Sequence, residues 1–393
     1  MEKLKASWLP DWVVAPAGML ITTTIIGSFV AFNVFLKYLL DDFEWSRGGT
    51  AGALSAAMVG QGILSPLTGY LADKYGARPL VSVGAVLLGV GYLLLSQVQE
   101  LWQLYALYLM TGMGGATVFV PVVGAVSRRF HQRRGLALSV GVSGITLGTA
   151  IVPLALSEVM SALGWRQTYM LVGVVIGLLV LSLGQLMGGR LPTASARRLS
   201  GYSLSRAIRT ATFWKVLLAS GTSLSAVHMV VAHMVTFSTD LGLAAAKGAT
   251  LVSMVGICGF VGMIFTGYLA DRFGGRGPWM LSALLSITGL AWLLVMRDPS
   301  MIYPFVALYG FAWGGYAVLM PFLAAQFFGI GSVAAVIGGV QLGGAVMASS
   351  GPMVAGFVFD RTGSYYPAFG LGIALFIIGA ALVSWMREVP ELE

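Results

Sequence analysis

Twelve times in 393 residues this chain runs apolar for about twenty positions, and no other feature constrains its fold as strongly. The runs are roughly 14 to 38, 49 to 71, 79 to 97, 102 to 126, 135 to 157, 168 to 188, 214 to 238, 248 to 270, 278 to 296, 301 to 325, 332 to 358 and 365 to 386. A helix of about 20 apolar residues crosses the hydrocarbon core of a bilayer, where each backbone N–H and C=O must be paired within the segment. The expected fold is therefore an all-α integral membrane protein with twelve transmembrane helices. Only 10% of residues are charged, against about 25% in a soluble domain, and the mean hydropathy is +0.86. The 53 glycines fit helices whose backbones approach closely.

The net charge of +8 is topology information, because the basic residues fall in short clusters between the runs. Of the 23 Lys and Arg, 17 lie at the termini and in loops after even-numbered runs, and 6 lie on the other side. Both termini are thus expected in the cytoplasm, with the chain in the cell membrane. The richest cluster is Arg190, Arg197, Arg198, Arg206, Arg209 and Lys215, in the longest connection. It reads as an orientation signal resting against anionic lipid, not a nucleic-acid surface. The expected organisation is an N-terminal bundle over 1–189, a linker over 190–213 and a C-terminal bundle over 214–393. Cys258 is the single cysteine, so no intrachain disulfide or cysteine metal site is possible. The N-terminus shows no cleavable signal. There is no metal-ligand cluster, no nucleophile beside a base and no nucleotide loop. No cofactor, no metal and no enzymatic role are expected, and the chain is read as a monomer.

A ten-residue stretch occurs twice, as Gly69-Tyr-Leu-Ala-Asp73-Lys74-Tyr-Gly76-Ala-Arg78 and as Gly267-Tyr-Leu-Ala-Asp271-Arg272-Phe-Gly274-Gly-Arg276. Each copy sits where one run ends and the next begins, so each predicts a tight charged hairpin whose glycines permit the turn and whose charged groups pair or cap helix ends. The offset of 198 is about half the chain, which implies two homologous six-helix halves. Gly114-Gly115 and Pro121 recur as Gly314-Gly315 and Pro321, at an offset of 200.

The duplicated stretch resembles the loop motif of the major facilitator superfamily. That resemblance implies two pseudo-symmetric six-helix bundles, substrate held between them near the bilayer midplane, and alternating access. The motif residues Gly69, Asp73, Lys74, Gly76, Arg78, Gly267, Asp271, Arg272, Gly274 and Arg276 are then gating and structural residues. A narrower resemblance rests on Phe43-Glu-Trp45-Ser46-Arg47, Arg133-Arg134-Gly135-Leu-Ala137, Gly164-Trp165-Arg166, Gly351-Pro352 and Asp360-Arg361-Thr362-Gly363-Ser364-Tyr365. Together these are similar to the monocarboxylate porter and oxalate/formate antiporter branch, which implies a carrier of small organic acids coupled to protons or working by exchange.

Polar groups inside the spans are costly and therefore informative. No Asp, Glu, Lys or Arg falls mid-run, and only His228 and His233, both in the seventh run, titrate readily there. Members of the resembled branch carry an arginine four residues before the second motif glycine, and some carry an acid four residues earlier still. Here those positions are Met263 and Gly259. A bound carboxylate needs a compensating charge or several donors, and His228 is the candidate to supply it and to take the proton. It shares a small, polar stripe with Gly221, Ser225, Ala232 and Thr236 at helical spacing. His233 aligns instead with Asp240. Either histidine can instead simply hydrogen-bond a neighbouring helix or carbonyl.

Further cavity candidates are Asn33, in line with Thr22, Phe29 and Lys37; Thr117; Gln341; and an aromatic face of Tyr309, Trp313 and Tyr316 with Met320. Lys37 either draws anions to the mouth or snorkels, the aromatics either sandwich a substrate or pack helices, and Thr117 and Gln341 either meet substrate or join helices. The expected function is a secondary carrier of a small organic solute, with a monocarboxylate leading on resemblance. A neutral or aromatic compound is the alternative on the missing arginine, and a non-transporting sensor is the alternative of another class.

Overall fold

A computed structural model describes residues 11–130, 132–188, 201–243 and 245–386. Helix α1 runs Val14–Val30 and, past a break at Ala31, Phe32–Phe43; α2 is Arg47–Tyr75, α3 Ala77–Leu95 and α4 Leu101–Arg129. Helix α5 is Arg134–Val142 and, past Ser143, Gly144–Leu163, and α6 is Trp165–Gly184. The second half holds α7 (Ala211–Asp240), α8 (Ala245–Phe273), α9 (Arg276–Val295), α10 (Ile302–Phe328), α11 (Val333–Thr362) and α12 (Tyr366–Ser384). Eleven of the twelve are apolar and long enough to cross a membrane. Helix α2 has the length, at 29 residues, but Ser55, Gln61, Ser65, Thr68, Asp73 and Lys74 dilute its apolar character.

Most of the helices are longer than the apolar runs because polar residues extend them. The duplicated motif is mostly helix, not loop: Gly69 to Tyr75 complete α2, and the reversal is made by Gly76 at φ +88°. In the second copy Gly274, at φ +72°, and Gly275 make the turn. A side chain at either left-handed position would be strained, which is why the second motif glycine is required. Residues 189–200 of the linker, with Arg190, Arg197 and Arg198, lie outside the described residues. Its later part crosses the bundle: Gly201 forms an isolated bridge with Gly329, and the Tyr202 N–H donates to the Phe328 carbonyl at 2.8 Å.

The halves repeat in packing, and the contacts fix the register. A Cβ at Gly112 would lie 2.0 Å from the Ala57 carbonyl oxygen, and one at Gly310 would lie 2.7 Å from that of Val255. Gly84 faces Thr117 as Gly315 faces Ser282. Both correspondences run at 198, the offset of the motif. The Gly-Gly and Pro echo at 200 is thus two residues out of structural register: Gly114 abuts Leu88 of α3, whereas Gly314 abuts the Gly259 backbone of α8. The halves meet along α2 with α11 and α5 with α8, while among the described residues α1 and α7 make no comparable contact.

At the end opposite the motifs, two of the segments that carry the narrower resemblance come together. The Trp165 indole donates to Asp42 Oδ2 at 2.6 Å, and Phe43 stacks on Trp45 at 4.3 Å. The Arg166 guanidinium lies 4.2 Å from the Trp165 ring centroid and donates to the Ser96 and Val98 carbonyls at 3.1 and 3.3 Å. This ties the ends of α1, α3 and α6 together, so these residues secure the first half. Arg166→Ala should cost about 2 kcal/mol of stability. The check is a lower melting midpoint in detergent with transport per folded molecule unchanged.

Candidate functional site

The motif end is where the halves are joined. The Asp73 carboxylate, at the end of α2, accepts from the backbone N–H of Ala335 at 2.8 Å and Ala334 at 3.3 Å, in the first turn of α11. Asp271, at the end of α8, accepts from Gly135 at 2.6 Å and Leu136 at 2.9 Å, in the first turn of α5. The first N–H groups of a helix lack intrahelical partners and carry its positive dipole end, so each carboxylate is held by donors and field together. Each aspartate reaches the opposite half. The motif arginines stay at home: Arg78 donates to Gln185 beyond the end of α6, and Arg276 donates to the Met386 carbonyl beyond α12. Lys74 and Arg272 lie over the rings of Tyr75 and Tyr268 at 5.2 and 5.6 Å.

The first motif glycine has a separate reason. A Cβ at Gly69 would sit 2.2 Å from the Ala334 carbonyl oxygen, and one at Gly267 would sit 2.4 Å from that of Gly135 and 1.8 Å from Ser139 Oγ. These are the points where helices of the two halves cross. The two joints differ in one respect. Asp73 also pairs with Arg128 at the end of α4, and 198 residues on stands Gln326, which accepts instead from the Gly275 N–H at 3.0 Å. Sequence reasoning missed Arg128, Gln326, Ser139 and the donating N–H groups of α5 and α11. Arg133-Arg134-Gly135 was visible as a recurring segment, but a backbone donor leaves no residue-type signature.

Between the halves, the candidate side chains separate. His228 is partly buried, and its Nδ1–H donates to the Leu224 carbonyl at 2.8 Å, which leaves Nε2 with no partner among the described residues. The stripe assigned to it is different in kind from the expectation: a Cβ at Gly221 would lie 2.5 Å from Met347 Sδ, and Ser225 faces Ser350 and Gly351, so this face is the seam with α11. His228 stands at its edge. His233 is fully engaged, with Nε2–H donating to the Pro352 carbonyl at 3.0 Å and Nδ1 3.2 Å from the Tyr365 hydroxyl. It joins α7 to α11 and α12, and not to Asp240.

The aromatic face of α10 also divides. Tyr309 is fully buried and donates to the Ala226 carbonyl at 3.0 Å, and Tyr316 stacks on Phe376 of α12 at 5.6 Å. Both are inside the second half. Only Trp313 reaches the boundary, where a Cβ at Gly259 would meet its ring at 3.6 Å and Thr146 of α5 at 3.1 Å. Its indole N–H has no partner among the described residues. Thr117 faces α3 and donates to the Met113 and Gly114 carbonyls, so it is turned away from the boundary. Met263 is fully buried where α5, α8 and α10 cross, its carbonyl accepting from Ser139 Oγ at 2.8 Å. The site that holds arginine in the resembled branch is therefore a packed crossing here. Gln341, half-buried on α11, has no amide partner among the described residues. One turn on, Gly344 is buried, yet a Cβ there would meet nothing within 4 Å, so this face of α11 borders open internal space. The side chains of Asn33 and Lys37 lie outside the described residues.

Two bundles repeated in the chain and joined at one end through carboxylates that cap each other's helices are the fold of a membrane transporter, and the chain belongs to the Major Facilitator Superfamily, whose profile matches residues 18–352. It is a membrane carrier related to monocarboxylate transporters, not an enzyme. Human Monocarboxylate transporter 11 is 30% identical over 400 residues, covering 97% of this chain and 84% of that one. Monocarboxylate transporter 13 of Bos taurus is 25% identical, covering 95% and 88%. In structure the chain is similar to the E. coli fucose:proton symporter FucP, with a TM-score of 0.74, 14% identity and 95% and 98% of the two chains covered. The human organic anion transporter MFSD10 gives a TM-score of 0.75, 16% identity and 95% and 100%.

Proposed function

We propose that this protein is a secondary active transporter that moves a small monocarboxylate or related organic acid by alternating access, with proton symport or exchange. The observation that carries the mechanism is the pair of aspartates capping opposite halves at one end only, while α1 and α7 stand apart at the other. That is the geometry of a carrier closed on one side. The split of Lys and Arg, 17 against 6, supports a closed side that faces the cytoplasm, with both termini on it. The carrier works as a monomer in the cell membrane, and its gating groups are the motif residues.

For the solute, the relatives' printed names and His228 point the same way. With Nδ1–H fixed on Leu224, Nε2 is the atom left to take a proton and then to donate to a carboxylate. Trp313 and Gln341 offer further donors, and Gly344 leaves room. The buried Met263, in place of a cation, and the Trp313 ring at the boundary favour a second reading, a neutral or aromatic small molecule.

Uptake of labelled lactate, acetate and oxalate into proteoliposomes, with and without a pH gradient, tests both. The expected result is gradient-driven uptake of one acid that falls roughly ten-fold or more in His228→Ala, the loss of one charge-assisted hydrogen bond, and survives in His233→Gln. Equal uptake by His228→Ala would remove that residue's role. No acid uptake by folded protein would leave the neutral-solute reading, with aromatic compounds as the next probes.

A further inference from the structure

Helix α2 carries an outer stripe of Val59, Ile63, Leu67 and Tyr70, each more than half exposed, which is its lipid face. Gln61 lies roughly 200° around the helix from Ile63, with Met58 and Ser65 within about 60° of it on the inward side. Along that inward face exposure falls toward the motif end. Met58 is 43% exposed, Gln61 is half-buried, and Ser65 is fully buried where its carbonyl oxygen would lie 2.3 Å from a Cβ at Gly338 of α11. Such a gradient on an inward face marks a vestibule entered from the end opposite the motifs and floored by the crossing of Ser65 with Gly338. Gln61 stands one turn above that floor on α2, and Gln341 stands one turn above it on α11.

Gln61 is at the midpoint of α2, a depth at which an unsatisfied amide is costly. Its amide has no hydrogen-bond partner among the described residues, yet it keeps accessible surface, unlike the six unpaired polar atoms that are sealed in the core. The side chain lies over bare backbone: a Cβ at Gly115 of α4 would meet the Gln61 amide nitrogen at 3.9 Å and the Phe29 ring at 3.1 Å. At the offset of 198, Gln61 corresponds to Gly259 and Gly115 corresponds to Trp313. There the roles are exchanged, with the glycine on α8 and the side chain on α10, whose ring a Cβ at Gly259 would meet at 3.6 Å. Each half thus lays one side chain over one glycine at matching depth. Parallel repeats are related by an axis along the membrane normal, so the two side chains face each other across the boundary. The Trp313 indole N–H is likewise unpaired among the described residues and not sealed.

We propose that Gln61 is a solute-binding residue, which with Gln341 forms a polar wall for a carboxylate opposite a Trp313 wall for a planar body, so that the site takes an aromatic monocarboxylate. This rests on the organic-acid reading above and narrows it. Each glutamine amide brings two N–H donors and no charge. A carboxylate met by several neutral donors needs no arginine beside it, which agrees with Met263 being packed into the crossing of α5, α8 and α10. The indole offers a ring-sized apolar face, which a two-carbon acid would leave uncovered.

Uptake of labelled benzoate and acetate into proteoliposomes tests this beside two variants. The parent should show an apparent affinity for benzoate at least about ten-fold above that for acetate. Trp313→Leu should bring the two acids within about two-fold of each other, whereas Gln61→Leu should weaken both by about ten-fold and keep the preference. Cysteine labelling supplies a reading that does not depend on turnover. In a Cys258→Ala background, Gln61→Cys should react with a charged methanethiosulfonate and be slowed by benzoate, while Val59→Cys, more exposed but on the lipid face, should stay inert. Acid uptake that Gln61→Leu leaves unchanged, equal affinities of the parent for the two acids, or Gln61→Cys as inert as Val59→Cys would overturn this inference and leave the carrier reading in place. No acid taken up by the folded parent would remove the organic-acid reading itself, and this inference with it.

Discussion

A valine at Gly267 should abolish transport and leave the motif end of the bundle unable to close. In the closed arrangement a Cβ at this position would lie 2.4 Å from the Gly135 carbonyl oxygen and 1.8 Å from Ser139 Oγ. The serine can turn, but the carbonyl belongs to the first turn of α5 and can yield only if α5 and α8 separate. Asp271 sits one helical turn further along and holds Gly135 and Leu136 by their N–H groups, at 2.6 and 2.9 Å. Separation wide enough for a branched side chain breaks both bonds. Overpacking of this kind costs about 3 kcal/mol, roughly a hundred-fold in the closed population. Maleimide labelling of a Ser139→Cys reporter in a Cys258→Ala background reads the outcome directly. Ser139 is fully buried at the crossing, so it should be protected in the parent and reactive once Gly267→Val is added. A protected reporter together with normal transport would show that α8 tolerates the branch and that the crossing is not the gate.

Asp73→Asn is expected to lower turnover by about ten-fold or more while leaving solute affinity within about two-fold, since charged hydrogen bonds are each stronger by roughly a decade's worth of free energy than the neutral ones that replace them. Asn offers one acceptor oxygen where the carboxylate offers two, so the Ala334 and Ala335 N–H groups cannot both be met as they are now. The same change orphans Arg128, a nearly buried cation, and would lower stability for a reason unrelated to gating. Adding Arg128→Gln separates the two effects. The second half already lives with Gln326 at the equivalent position, so the double variant should regain the melting midpoint and still turn over slowly. Turnover restored along with the midpoint would show that Asp73 is a structural residue alone.

The twelve helices and the two halves were legible because apolar length and a ten-residue duplication are written in side chains. The cross-half contacts of Asp73 and Asp271 were legible only in outline. A carboxylate beside a glycine turn announces a cap, but its partners are backbone N–H groups of α5 and α11, which any residue supplies. Site residues were harder still. Helical periodicity put His228 on a stripe with Gly221 and Ser225, yet a small polar stripe serves a wet cavity and a tight seam equally well, and here it is the seam. Tyr309, Trp313 and Tyr316 share one face of α10, but that face spans three neighbours, so two rings turn into the half and one to its boundary. Thr117 could not be placed without knowing that Gly84 stands opposite.

The motif divides its labour by sign: the arginines hold to their own half and the aspartates cross to the other. Opening the closed end therefore breaks the aspartate contacts and leaves the arginine contacts intact, so the turns stay anchored. None of those partners belongs to the set of His228, Trp313, Gln341 and Gly344. The contacts that join the halves and the candidate solute groups are separate sets of residues. Met263 can therefore stand in α8, where the resembled branch carries arginine, without touching the backbone N–H groups that hold Asp73 and Asp271.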